Sequence, residues 1–252
     1  MEFMSTPTTA RDTVFSPLHV EGAVERIVRR LGEAIGSGVL QPGERLPSEV
    51  ELAERLDVAP MTLRQALAIL RDAGYVETRR GRGAGTFVVD DIARPLGNAR
   101  RIPTHDELRD LVDWRRAVAG ETAYLAAQRA DANTRARIAD AAAQAEASAF
   151  GAFAGYRLAD SGFHLAVAEA TGSPRLVAAE TAIQAEFGEI LGSLPGSEST
   201  EAVRASTMGH TPILAAILQA DPTVAREAMV AHVEATYDWI VGLHLGRLAS
   251  GT

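Results

Sequence analysis

Residues 46–70 read LPSEVELAERLDVAPMTLRQALAIL. Two short amphipathic helices fit this stretch, with a three-residue break between them. Ser48 is followed by Glu51 three positions on, the spacing of a capping box, so the first helix opens at Ser48 and runs to residue 56. Its apolar positions are Val50, Leu52 and Ala53. Asp57-Val58-Ala59 is the tight turn. Pro60 stands in a first turn, where its missing N–H loses no partner, and the second helix runs from about Pro60 to Ala73. Gly74 closes it. Working outward, residues 19–37 carry Val20, Val24, Ile27, Val28, Leu31 and Ile35 at helical spacing, and Gly36 and Gly38 end that helix. Leu40 to Pro47 is turn-rich and extended. On the other side, Tyr75-Val76-Glu77-Thr78 reads as a strand and Arg79 to Gly85 as a basic, Gly-rich loop. Thr86-Phe87-Val88-Val89 reads as the returning strand of a hairpin. The order helix, helix–turn–helix, two-stranded wing is a winged helix–turn–helix.

Composition bounds what such a chain can do. It has 252 residues and a net charge of −8, with 33 acidic residues against 25 basic ones, all of them Arg. Alanine fills 46 positions, aromatics are 5%, and there is no Cys. Disulfides, thiolate zinc fingers, iron–sulfur clusters and thiol catalysis are excluded. The length fits one large or two ordinary domains, and an Ala-rich, aromatic-poor chain favours helices. Taken whole, the negative charge argues against a nucleic-acid partner. Divided along the chain, it argues the other way. Window 61–88 sets Arg64, Arg71, Arg79, Arg80 and Arg82 against Asp72 and Glu77, a local charge of +3, while residues 95–252 carry −6. An Arg cluster on the second helix and the wing tip is the electrostatic footprint of phosphate contact. The competing reading, a small α+β domain with no nucleic-acid role, leaves that cluster without a purpose.

The pattern also resembles the DNA-binding domain of the GntR family of bacterial regulators. The matching residues are Ile35, Gly38-Val-Leu40, Pro42-Gly43, Leu46-Pro-Ser-Glu49, Glu51-Leu-Ala53, Leu56, Val58, Thr62-Leu-Arg-Gln-Ala-Leu67, Leu70, Gly74-Tyr75, Gly81 and Gly85-Thr-Phe-Val88. The resemblance implies that Thr62 and Arg64 contact DNA near the start of the recognition helix. It also implies that Arg82-Gly83 at the wing tip reach the minor groove or its phosphates. Arg79 and Arg80 on the wing, with Ser48 and Met61 at the two helix starts, complete the set expected to face DNA. Arg can read guanine bidentately, and Gly lets the backbone approach closely. The chain departs from the family at the turn, where Ala59-Pro60 replace the usual Ser/Thr-Arg and so remove one hydroxyl and one guanidinium.

Residues 1–17, rich in Thr, Ser and Pro, are expected to be a mobile tail. The winged domain is placed at 18–90, a linker at 91–103, and a second domain at 104–247. No run approaches the about 18 apolar residues of a membrane span, and the start has no basic-then-apolar leader, so the expected location is the cytoplasm. Beyond the linker the pattern is wholly helical, with helices near 104–130, 133–148, 150–171, 174–193, 201–219 and 222–247. The expected fold class is therefore mainly α: a winged helix–turn–helix followed by an antiparallel helical bundle.

Four residues stand out in that bundle. Asp160 and His164 are i and i+4 on one helix and share a face, while His210 and His232 lie on two later helices. A carboxylate and three imidazoles suit a divalent metal, but spacing alone also fits ordinary polar core residues. Residues 104–245 resemble the FCD ligand-binding domain of the FadR subfamily of GntR regulators. The resemblance is carried by the stretches Leu108–Ala127, Asp160-Ser-Gly-Phe-His164, His210 with Ile213–Ile217, and Ala225 to His232. It implies a metal on Asp160, His164, His210 and His232, with zinc first and nickel or manganese as alternatives. It further implies that Arg115 faces a small carboxylate or hydroxy-acid effector, whereas from the sequence alone Arg115 also fits a surface ion pair with Asp110 or Asp113. Trp114 and Phe163 are expected in the core. A homodimer on double-stranded operator DNA, most simply a repressor, follows from the resemblance. A metal-dependent enzyme is the competing class, but there is no HExxH motif or evident paired base, and none is expected.

Overall fold

The computed structural model describes residues 22–81, 83–89, 104–149, 153–193 and 209–250. Three helices open it: α1 (Ala23–Gly36), α2 (Glu49–Leu56) and α3 (Pro60–Asp72). Strands β1 (Val76–Arg79) and β2 (Gly85–Val88) follow as an antiparallel hairpin in the register Val76 to Val88 and Arg79 to Gly85. Ile27, Leu31 and Ile35 of α1 bury against Leu52, Leu63, Leu67, Leu70 and Val88, so the apolar stripes read from the sequence meet in one core. Ser48 caps α2 by accepting the Glu51 N–H at 3.3 Å. The Glu51 carboxylate does not complete a capping box. It pairs with Arg55 one turn on, a competing i, i+4 contact. Asp57 makes the turn at φ +53, a left-handed conformation that Asp tolerates better than most residues. The wing gains an anchor that the hairpin pattern does not announce. Arg45 bridges to Phe87, and its guanidinium donates to the Ala84 carbonyl at 2.8 Å.

The remaining helices are α4 (His105–Arg129), α5 (Ala132–Ser148), α6 (Phe153–Glu169), α7 (Pro174–Ser193), α8 (His210–Leu218) and α9 (Pro222–Ser250). Thr104 opens α4 with a complete capping box to Glu107. Ala119, Ala123, Ala126 and Ala127 of α4 lie in the core with Ile213, Ile217, Met229 and Val233 of α8 and α9. Small side chains let α4 and α9 approach closely: a methyl added at Gly120 would meet Val230 Cγ2 at 3.0 Å. A second core joins Leu108 and Leu111 to Phe187, Ile190, Leu191 and Ile240. Helix α7 also packs on α1, where a methyl at Gly36 would stand 3.6 Å from the Ala185 methyl.

Two expectations change. The helix foreseen at 201–219 starts, among the described residues, at His210, so Pro212 falls in a first turn and breaks no helical hydrogen bond. Trp114 is 39% exposed instead of core, because it lines a cleft between α1 and α7. The tail at 1–17 and the linker at 91–103 lie outside the described residues. No helix among the described residues is long and apolar enough to cross a membrane.

Candidate metal centre and nucleic-acid interface

The basic surface is built by α3 and the wing. Met61, Arg64, Arg79, Arg80, Gly83 and Ser48 are exposed, and Thr62 is half-buried. They are held by local contacts. Arg64 Nε donates to Glu49 Oε2 at 2.8 Å, which links the two helices of the motif and fixes the guanidinium at the surface. Arg71 Nη1 donates to Thr78 Oγ1 at 3.0 Å and ties the end of α3 to β1. Arg79 stacks 4.4 Å over the Phe87 ring while pairing with Glu77. Gly81 and Gly83 hold φ of +89 and +93 at the wing tip, a conformation that a side chain would strain. Arg82 lies outside the described residues.

The second region is buried. Asp160 and His164 project from α6, His210 from the start of α8 and His232 from α9, and the four are almost fully inaccessible. One ligand-type atom from each lies within 4.8 Å of all the others. His210 Nε2 is 3.2 Å from Asp160 Oδ1, and His232 Nε2 is 3.3 Å from His164 Nε2. A tetrahedral site with bonds of about 2.0–2.1 Å has edges of about 3.3–3.4 Å, so two edges already have the length a metal needs. Phe163 stacks on His210 with centroids 4.2 Å apart and fixes the ring from behind.

Protonation suits the same role. Burial lowers the His164 pKa well below the imidazole range, and Arg115 adds to the effect. His232 is lowered to about 3, by burial first and then by His210 and Arg115. Both rings are therefore neutral at pH 7, the state that ligates. Burial opposes the Asp160 charge, but Arg157, His210 and His164 outweigh it and hold the carboxyl well below its ordinary range. A carboxylate and three imidazoles whose ligand-type atoms converge within 4.8 Å of one another form a donor set that fits a divalent ion.

Arg115 lies at the edge of this cluster and is 2% exposed, which removes the surface ion pair as its role. Its guanidinium sits 4.2 Å over the Phe187 ring, with Nη2 3.4 Å from His164 Nε2. Its Nε is buried with no hydrogen-bond partner. Burial pulls its pKa down, against the attraction of Asp160 and Glu180. Sequence reading missed the layer behind the cluster. Arg157 donates to Asp160 Oδ2, and Gln184 Oε1 accepts from Ser161 Oγ at 3.2 Å and from Arg157 Nη2 at 3.4 Å. Glu180 is fully buried beside His164. A polar residue at a helical apolar position was the available signal for Glu180 and Gln184. Glu121, a neighbour of the core Ala119, instead faces out and pairs with Arg226.

A winged helix–turn–helix followed by an all-helical bundle is the build of a DNA-binding transcription regulator. Residues 23–88 match the gntR family of bacterial regulatory proteins, and residues 110–235 match the FCD domain. The chain belongs to the GntR family of transcription regulators, with an FCD domain as its second part. It is 36% identical over 240 residues to the HTH-type transcriptional regulator RmpR of Mycobacterium gastri, covering 91% of this chain and 84% of that one. It is 30% identical over 220 residues to a protein of Escherichia coli named as the L-lactate dehydrogenase operon regulatory protein, covering 83% of each. The solved structure of E. coli McbR/YncC shares the fold, with a TM-score of 0.56 at 16% identity, over 89% of this chain and 100% of that one. These relatives are regulators and not enzymes. FCD domains often bind a metal, and this one carries a cluster able to hold one.

Proposed function

We propose that this chain is a cytoplasmic, homodimeric repressor of the FadR subfamily. In this reading its operator affinity is set by a small carboxylate or hydroxy acid bound beside a divalent metal. The winged domain spans 18–90, a linker 91–103 and the effector domain 104–247. Ser48, Met61, Thr62, Arg64, Arg79, Arg80, Arg82 and Gly83 face operator DNA, with Arg64 as base reader and the wing residues on phosphate or minor groove. Two copies are needed to read the two halves of a palindromic site.

The observation that carries the effector reading is Arg115. A buried guanidinium whose Nε has no hydrogen-bond partner, beside four metal-type ligands, suits a small anion. Asp160, His164, His210 and His232 would hold the metal, zinc first and nickel or manganese next. A bound metal would supply open coordination positions for an oxygen of the effector. The E. coli relative named for an L-lactate dehydrogenase operon agrees with a hydroxy-acid class. Fluorescence anisotropy on the protein's own promoter region, with zinc and a panel of small carboxylates, tests the reading. The expected result is salt-sensitive, sequence-preferring binding that one carboxylate weakens. Binding that no carboxylate changes, at full zinc occupancy, removes the effector assignment, and absence of sequence preference removes the operator assignment.

A further inference from the structure

The candidate metal site uses one side of His164 and leaves the other side unexplained. His164 Nε2 faces His232 at 3.3 Å, while Nδ1 points away from the cluster, buried and without a hydrogen-bond partner. Facing Nδ1 is Glu180 of α7, with Oε1 4.0 Å away. Glu180 is completely inaccessible, and its Oε2 has no hydrogen-bond partner either. Each group costs stability where it stands, because a buried polar atom without a partner loses its water and gains nothing.

The two costs are related through the metal. An ion on Nε2 leaves the imidazole proton on Nδ1, so ligation turns Nδ1 into an obligatory donor. A carboxylate is the strongest acceptor available to it. The 4.0 Å gap is beyond a direct hydrogen bond and closes by a modest side-chain rotation or through one bridging water. Gln184, one turn further along α7, holds the carboxylate ready: its Nε2 donates to Glu180 Oε1 at 2.8 Å. The same Gln184 accepts from Arg157, which grips Asp160. One turn of α7 thus stands behind two of the four ligands.

We propose that Glu180 is a positioning residue of the metal centre. Its carboxylate accepts the Nδ1–H of His164, fixes that ring's tautomer and orientation, and raises its strength as a ligand. This rests on the metal-site reading above. Such partners behind a ligating His are worth about 10–100-fold in metal affinity.

The test is zinc affinity of the full chain, measured by competition with a chromophoric chelator, together with melting of the zinc-free and zinc-loaded protein. Glu180→Gln keeps an acceptor oxygen but loses the charge, and Glu180→Leu loses both. The expected order of affinity is wild type, then Glu180→Gln, then Glu180→Leu, over about 10–100-fold. All three should still reach the same zinc content at saturation. Zinc-free Glu180→Leu should melt below wild type, because Gln184 Nε2 loses its acceptor and Arg115 a compensating charge, whereas Glu180→Gln keeps the oxygen to which Gln184 donates and should melt close to wild type. In Glu180→Gln zinc affinity should therefore fall without a matching loss of stability, which a merely structural role would not produce. Glu121→Gln, at a surface carboxylate of the same bundle, is the control and should change neither. Unchanged zinc affinity in both Glu180 variants overturns this inference alone. A loss in Glu180→Gln that only tracks a lower zinc-free melting temperature also overturns it. A wild-type protein that binds no zinc removes the metal reading and this inference with it.

Discussion

Arg64 and Arg115 carry the same guanidinium in opposite surroundings. Arg64 stands in water on α3, steadied by Glu49 across the helix–turn–helix. Arg115 is enclosed by the bundle, stacked on Phe187, with one nitrogen unpartnered. Solvent screens the first, so its presence in an apo protein costs little and its pairing with Glu49 contributes little. Nothing screens the second. An uncompensated buried cation costs several kcal/mol, and here Asp160 and Glu180 offset only part of it. A surface cation is available to any anion that approaches, such as a DNA phosphate. A buried one selects an anion small enough to reach it.

Changes to the buried region should have the larger effects. Asp160→Ala or His164→Ala removes a ligand, and zinc affinity should fall by more than the about 100-fold expected for loss of a partner behind a ligand. Elemental analysis of protein purified without chelator reads this directly, and unchanged zinc content in both variants would contradict the site. On the surface, Arg64→Ala should weaken operator binding roughly 5–150-fold, the equivalent of about 1–3 kcal/mol, and relax preference at one base pair. Arg80→Ala should act differently, weakening all sequences alike and lowering the salt slope by about one ion. If the two variants lose affinity in the same manner, the division into base reader and phosphate contact is wrong.

The smallest expected effect lies where the two halves meet. A cleft of about 610 Å3 between α1 and α7 is lined by Glu25, Glu33, Glu186 and Glu189 with Trp114 and Ile69. Burial raises the Glu186 pKa, and Asp110 and Glu107 raise it further. Burial and then Glu186 raise that of Glu189. The folded chain therefore binds these protons more readily than the unfolded one. Their contribution to stability is fully present below about pH 4.5, the ordinary value, and is lost as pH rises through the raised folded values. Glu186→Gln should raise the melting temperature by about 1–2 °C at pH 7.5 and by less at pH 4.5. A larger gain at the acid end would reverse the assigned sign.

Much of the fold was legible because it rests on local rules. The apolar spacing of α1, the Ser48 cap and Pro60 at the head of α3 each act within a turn or two of chain. Their boundaries came out within a few residues. The exposed Arg residues of α3 and the wing were legible for a related reason: charges close in sequence there remain close in space. The four candidate ligands stood out by residue type, but the family resemblance was needed to join them into one site, since three helices contribute them and no local rule joins His210 to Asp160. Glu180 and Gln184 gave only a faint signal, as polar residues at apolar positions of a helix. In the chain they are two polar residues on a helix, and only their burial against α6 sets them beside His164 and Ser161.

The sequence by itself determined the element order, the two-part organisation and the sign of charge on each part, because hydrophobic period, caps and local charge are short-range quantities. Tertiary structure alone decided which imidazole nitrogens face one another, that Arg115 is buried instead of paired at the surface, and that Glu180 stands behind His164. Those facts depend on how helices 20 to 70 residues apart in the chain are brought into contact, and on which polar groups lose their water when that happens.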